Sequence, residues 1–366
     1  MLLIEQQRYP IENVPKYNFS DTATWGFGLP GELVQLCLSS LEKLHGQQVK
    51  PSFAGQMMEP CDKGALSLSS AGAMSLEVIP IQPLREEVPV AAVDVSSIRV
   101  GETEEGILIA VRGAIVWNTQ HKYRYLRLGP FLFHITEENK SRIFNLLRKY
   151  HFDFSDEGSA PDFARLQTRI ASIFERWIQM NLCVASSNSL ILLDGSLTAG
   201  TSDTPESIIS KLLKTARTRV NTVLAFSKFS RLHFNGHCLT DVTRKHNPPC
   251  LVKINGLWEP RVGSFRLLGN VYVARLGEGA VSFRLDVDKE LQQSQAVAAV
   301  QRLLGNDLVY QGYPETLRLA HIYSTFTASE VIGMQRYLVQ QRGLQILVKP
   351  NLRRLLFGPF GKGPEG

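Results

Sequence analysis

Two apolar runs in this chain lead straight into an aspartate. Val-Ala-Ala-Val-Asp-Val-Ser-Ser carries Asp94, and Leu-Ile-Leu-Leu-Asp-Gly-Ser-Leu carries Asp194. A strand that delivers a carboxylate at its buried end is costly unless the charge is paired or holds a metal. Two such strands, side by side in one sheet, set two hard oxygen ligands within reach of one divalent ion. The chemistry this points to is metal-assisted hydrolysis. Each aspartate alone has a plainer reading, as a turn former or a helix cap, and Asp194-Gly195-Ser196 has the composition of a turn. Their occurrence as a pair is what favours the ion.

A third carboxylate should come from a helix packed on the same sheet. Segment 161–182 carries an apolar stripe at Phe163, Leu166, Ile170, Ile173, Phe174 and Trp177. Glu175 lies beside that stripe and between the two aspartates in sequence. Glu157 and Asp162 are alternatives, and a solvated helix carboxylate is the bland reading of each. His321 ends an apolar stretch eight residues after Tyr313. A lone histidine in such a place more often packs in a core than binds an ion, and Tyr313 before Pro314 reads equally as a wedged turn aromatic. Lys228 closes an apolar strand as Phe-Ser-Lys, either as a solvated edge lysine or as a contact for phosphate or carboxylate. Lys211, Lys214 and Arg217 recur at every third position on one helical face. That face is solvated by default, and beside a metal site it would hold a phosphate backbone.

Composition narrows the class. At 366 residues, 44% hydrophobic and 20% charged, the chain has the balance of a globular protein with one large or two modest domains. No apolar run approaches the ~20 residues of a membrane span, and the first residues lack the order of a secretory signal. Five cysteines without a Cys-x-x-Cys pair argue against a zinc site or a disulfide framework and fit a reducing cytoplasm. A net charge of +6 leans mildly toward an anionic partner. No phosphate-binding Gly-x-x-x-x-Gly-Lys motif, no His-Glu-x-x-His and no Gly-x-Ser-x-Gly occur, which sets aside ATP hydrolysis and the corresponding protease and serine-hydrolase families.

The elements that must position these residues follow from periodicity. An amphipathic helix is expected over 30–45, and 46–88 reads as a linker or peripheral layer. Strands are expected at 90–97, 106–117 and 122–135, joined by short gaps that favour antiparallel neighbours. Helices at 137–150 and 161–182 come next, then a strand at 189–194, a helix at 205–218 and a strand at 222–228. Beyond an irregular stretch, 229–269, strands are expected at 270–276 and 280–287 and helices at 288–304 and 327–342. The order βββ-α-β-α-β gives an α/β protein with a mixed five-stranded sheet flanked by helices, the ribonuclease H-like arrangement. Residues 1–88 form an N-terminal extension, 89–345 the main domain with a C-terminal β/α insertion, and 346–366 a tail.

Five short pieces occur in the order found in one nuclease family: Val-Asp-Val-Ser-Ser at 93–97, Leu-Leu-Asp-Gly-Ser-Leu at 192–197, Phe-Ser-Lys at 226–228, Phe-Arg-Leu-Asp at 283–286 and Gly-Tyr-Pro…Ala-His at 312–321. Together they resemble the NurA family of DNA repair nucleases over about 90–345. The resemblance implies a manganese-dependent (or magnesium-dependent) deoxyribonuclease of ribonuclease H-like fold. It implies 5′–3′ exonuclease action, with single-strand endonuclease action besides, and a homodimer. It also implies a hexameric HerA-type ATPase as partner in DNA end resection for homologous recombination. Asp94, Asp194 and His321 are then metal ligands, Tyr313 a further catalytic residue, and Glu175 the helix carboxylate on a looser motif. Lys228, Lys211, Lys214 and Arg217 are the candidate DNA contacts. Where the family has glycine after the first aspartate, this chain has Val95. Two other readings stay open: a non-catalytic DNA-binding scaffold, and a hydrolase of the same fold acting on RNA.

Overall fold

The computed structural model describes residues 31–51, 75–152, 160–200, 204–228, 237–255, 266–279 and 281–343, with short strands at 11–13, 66–67, 232–234 and 345–346. The longer strands are β1 (Ser75–Pro80), β2 (Val90–Glu102), β3 (Gly106–Thr119), β4 (Lys122–Thr136), β5 (Leu190–Asp194), β6 (Thr222–Ser227), β7 (Cys250–Asn255), β8 (Gly269–Arg275) and β9 (Phe283–Asp288). The helices are α1 (Gly31–Glu42), α2 (Lys140–Phe152), α3 (Phe163–Ala185), α4 (Glu206–Thr218), α5 (Gln293–Asn306), α6 (Glu315–Ser324) and α7 (Ala328–Arg342).

One mixed sheet runs β4-β3-β2-β5-β6-β9-β8-β7-β1. Its first five strands are the expected core: β2, β3 and β4 meander antiparallel, while β5 pairs parallel with both β2 and β6. This is the ribonuclease H-like order. The sheet is larger than the five strands expected. Strand β9 adds antiparallel to β6, and β8, β7 and β1 continue it. Strand β7 lies inside the stretch expected to be irregular, and β1 inside the one expected to be a linker. Neither shows an apolar run long enough to announce itself, because their partners are remote in sequence.

The central strands read as they do because both faces are covered. Val90 to Val93 and Leu190 to Leu193 are all nearly inaccessible, the continuous apolar pattern of parallel strands between two helical layers. On one face Leu166, Ile170, Ile173 and Phe174 of α3 pack with Ile208, Ile209 and Leu212 of α4. On the other, Ala296, Ala299 and Val300 of α5 pack with Leu317 and Ala320 of α6. Burying each large aliphatic side chain contributes about 1.5–3 kcal/mol.

Two differences from expectation shape the site. First, β2 does not end at its aspartate. It continues to Glu102, with Val95 paired to Gly113, so no turn follows Asp94 and no glycine is needed there. The strand goes on because β3 pairs with it along its whole length, while the parallel ladder to β5 stops at Val93–Leu193. Second, 312–321 is not a lead-in to the last helix. It contains most of α6, a helix in its own right of only ten residues. The tail expected over 346–366 lies outside the described residues beyond the short strand at 345–346.

Gly113 lets α3 approach the sheet beside Asp94. A Cβ there would fall 2.3 Å from Ile178 Cδ1 and 3.5 Å from Phe174 Cε1. Gly113→Ala is expected to cost about 1–3 kcal/mol by overpacking, read as a lower denaturation midpoint in urea. An unchanged midpoint would show that α3 yields freely at this contact.

Candidate metal centre

Asp94 and Asp194 meet where the parallel ladder ends. The last β2–β5 pair is Val93–Leu193, so the next residues are the two aspartates. Alternation along the strands directs both toward the face that α6 covers, the face of Ala92 and Leu192. At Asp194 the chain turns: Gly195 adopts φ +116°, and its N–H donates to the Phe226 carbonyl at 2.7 Å. Only a residue without a Cβ takes that conformation cheaply. The Leu197 N–H then donates to Asp286 Oδ2 at 3.0 Å, and Asp286 is locked in a buried bidentate pair with Arg284. The Phe-Arg-Leu-Asp segment thus fastens the turn that presents Asp194.

Helix α6 supplies the other side. His321 Nδ1 lies 3.2 Å from Asp94 Oδ2, and Ser324 Oγ donates to the same oxygen. Sequence reading missed Ser324; its only signal is its place one helical turn after His321, on the same face. The Lys228 ammonium donates to Asp194 Oδ2 at 2.7 Å and lies 5.5 Å from the centre of the Tyr313 ring. Tyr313 itself is buried against Phe226 and Phe283, and its hydroxyl has no partner. Burial raises its pKa, and the charges of Asp194 and Asp94 raise it further. A buried hydroxyl without a partner is costly and leaves one donor unused.

One donor atom each from Asp94, Asp194 and His321 fall within 4.8 Å of one another. Two carboxylate oxygens and an imidazole nitrogen are a donor set that suits a divalent metal ion. The residues therefore fit the metal that the sequence resemblance implies. Burial raises the pKa of Asp194, opposed by Lys228 and reinforced by Asp94, which is the electrostatic cost a cation would relieve.

Glu175 approaches from α3, on the opposite face, and is not one of the three clustered donors. It is nevertheless close enough to be coupled to both aspartates. Burial pushes its carboxyl up to about 7; Arg176 opposes this, while Asp94 and Asp194 add to it. Gln179 donates to Glu175 Oε1 at 2.7 Å and itself accepts from Arg176 at 2.6 Å. The alternatives fare differently: Asp162 only borders the start of α3, and Glu157 lies outside the described residues. Of the basic residues on α4, Lys211 and Lys214 are exposed. Arg217 is ion-paired with Asp288, at the end of β9 that lies beside the start of β6 and away from Asp194.

Helix α6 carries much of the site, yet its N-cap residue, Pro314, offers no side-chain cap. Asp307 supplies one from the end of α5. Its carboxylate accepts from Thr316 N at 3.0 Å, Leu308 N at 3.0 Å, Tyr123 Oη at 2.7 Å and Asn118 Nδ2 at 3.1 Å. At the far end, Arg112 bonds the Thr325 carbonyl and pairs with Glu330 at 2.9 Å, and Tyr323 stacks on Tyr125 at 3.9 Å.

No family model matches this chain, and no curated protein matches it. Among solved structures it is similar to the NurA nuclease from Sulfolobus solfataricus, at 14% identity and a TM-score of 0.45, over 75% of this chain and 90% of that one. It also matches Marinitoga piezophila Argonaute in complex with 5′ OH guide RNA, at 9% identity and a TM-score of 0.32, over 68% of this chain and 31% of that one.

Two outcomes follow. Asp307→Asn puts an N–H where an acceptor is needed; it should cost about 1–3 kcal/mol in a denaturation curve and raise the Mn²⁺ concentration for half-saturation in calorimetry. Wild-type values for both would show that α6 is held by other contacts. For Glu175 the sign is set by its raised pKa. Between its ordinary 4.5 and about 7 the folded, metal-free protein keeps a proton that the unfolded chain has lost. Its contribution to stability therefore declines as pH rises through that window, and Glu175→Gln should flatten the decline in melts across that pH range. A slope unchanged by the substitution would place the titration elsewhere.

Proposed function

We propose that this chain is a divalent-metal-dependent nuclease that hydrolyses phosphodiester bonds in DNA. The observation that carries the reading is the convergence of Asp94, Asp194 and His321 donor atoms within 4.8 Å, at the carboxyl ends of parallel strands where open α/β sheets take their ligands. A bound Mn²⁺ would polarise the scissile phosphate and lower the pKa of an attacking water. The chain's own groups do the rest. Lys228, now paired with Asp194, is free to turn to a phosphate oxygen once a cation neutralises that carboxylate. The Tyr313 hydroxyl donates to the same phosphate, which satisfies the hydrogen bond it lacks. Glu175, coupled to both aspartates from α3, adds a third acid whose charge a divalent ion would help to balance. Ser324 holds one oxygen of Asp94 and leaves the other for the ion.

The preference for DNA, the 5′–3′ direction, the homodimer and the HerA-type ATPase partner in end resection are proposed on the sequence resemblance. None of the described helices is long and apolar enough to cross a membrane, and the net charge of +6 suits a polyanionic substrate.

The test is cleavage of labelled single-stranded DNA in Mn²⁺. Asp94→Ala and Asp194→Asn should each lower the rate by at least about a hundredfold, with circular dichroism unchanged, because they remove a ligand and no core volume. Full Mn²⁺-dependent activity in a folded Asp94→Ala protein would overturn the reading. Binding without degradation by the wild type would favour the scaffold, and equal cleavage of RNA of the same sequence would broaden the substrate.

A further inference from the structure

Among the described residues, the exposed aromatic rings are Tyr310 and Tyr337. Tyr337 lies on α7, near the Arg112–Glu330 ion pair and apart from the clustered metal donors. Tyr310 does not. It stands directly across a short hairpin from Tyr313, the buried tyrosine of the metal centre. The hairpin is kept tight by Gly312, at φ +83°, where a Cβ would meet the Val281 carbonyl at 3.2 Å. Tyr310 is 53% exposed, so much of its ring surface is in water.

Its neighbour is Arg318, whose guanidinium carbon is 5.7 Å from the Tyr310 ring centre. Arg318 and His321 are three apart on α6 and therefore neighbours on one helical face, separated along the axis by roughly 4.5 Å. Ile322, also exposed, follows Arg318 by four and flanks the same strip. Arg318 is not a spare cation. Both of its outer contacts go to Glu315, at 2.7 and 2.6 Å. A guanidinium paired bidentately to a carboxylate grips a phosphate poorly, because its charge is already balanced, but it keeps two flat faces. An exposed ring, a fixed guanidinium plane and an apolar side chain, on the hairpin that carries Tyr313 and the helix that carries His321, are the parts from which single-strand binding surfaces are made.

We propose that Tyr310 and Arg318 form a stacking platform for an unpaired nucleobase beside the metal centre, so that the strand engaged for cleavage is single. The platform rests on the nuclease reading above and deepens it. It is independent of base identity, since every base presents a π-face. It discriminates against duplex, whose bases are already stacked and paired. It also divides the labour of binding. Lys228 contributes through charge, which salt screens, whereas Tyr310 contributes through stacking, which salt affects little.

The test is equilibrium binding of a fluorescent oligothymidylate of about fifteen nucleotides, with Ca²⁺ in place of Mn²⁺, at several salt concentrations. Tyr310 is exposed, so Tyr310→Ala should fold, and a thermal melt checks that. Tyr310→Ala is expected to weaken single-strand binding by roughly tenfold with the same salt slope as wild type, Tyr310→Phe to bind as wild type, and a duplex of equal length to be bound equally by all three. Lys228→Ala should instead flatten the salt slope by about one unit. Wild-type affinity in a folded Tyr310→Ala protein overturns the platform and leaves the nuclease reading standing. A loss shared equally by duplex and single strand overturns it too. No binding of any strand by the wild type overturns the nuclease reading and the platform with it.

Discussion

Two carboxylates delivered to the end of one parallel ladder, partly out of water, repel each other, and the structure around them is organised to contain that repulsion. Each acid has its own counter-group from a different part of the chain. Asp94 is held by His321 and Ser324 of α6, and Asp194 by Lys228 at the end of β6. A third acid, Glu175, is pushed up to about 7 by burial, with Asp94 and Asp194 adding to the shift. Burying like charges together is tolerated when an additional cation is meant to join them. The proposed nuclease chemistry is in this sense the completion of an electrostatic balance that the protein alone leaves unfinished.

The scaffold answers that demand by fixing backbone before side chain. The sheet sets Asp94 and Asp194 one strand apart through a ladder that ends one residue before them. The Arg284–Asp286 pair fastens the Asp194 turn from the neighbouring strand. Asp307 and Arg112 fasten the two ends of α6. Those polar groups are deeply buried, and their worth lies less in net stabilisation than in the cost of misplacing them: an unpaired buried donor or acceptor costs about 1–3 kcal/mol. A helix held so at both ends has little freedom to carry His321 away from Asp94.

Much of the core was legible in the sequence. Strand and helix spans from 90 to 228 came out within a few residues, because helices on both faces force continuous apolar runs and stripes that periodicity detects. Asp94, Asp194 and His321 were named and are brought together. What escaped reading had no local signal. Strands β1 and β7 pair with partners far away in the chain, and runs of six residues are too short for periodicity alone to fix as strands. Helix α6 has ten residues and is capped from outside by Asp307, so the usual start signal was absent. Ser324 and Asp307 look like ordinary polar residues until the fold places them against Asp94 and Thr316. Arg217, which shares a helical face with two exposed lysines, proved to be committed to Asp288.

The sequence by itself determined the hydrophobic order of the core and the residue types able to do chemistry, because burial and periodicity are local properties of a chain. Only the tertiary structure decided which of those residues meet. Asp94 became a mid-strand residue rather than a strand end because β3 pairs along all of β2 while β5 stops short. Tyr313 became a buried hydroxyl without a partner, Glu175 a neighbour coupled to the aspartates from the other face, and Tyr310 an exposed ring across the hairpin from Tyr313. Each of those outcomes depends on contacts between segments tens to hundreds of residues apart, and the cost or gain of a charge is set by what surrounds it in space, which no stretch of sequence contains.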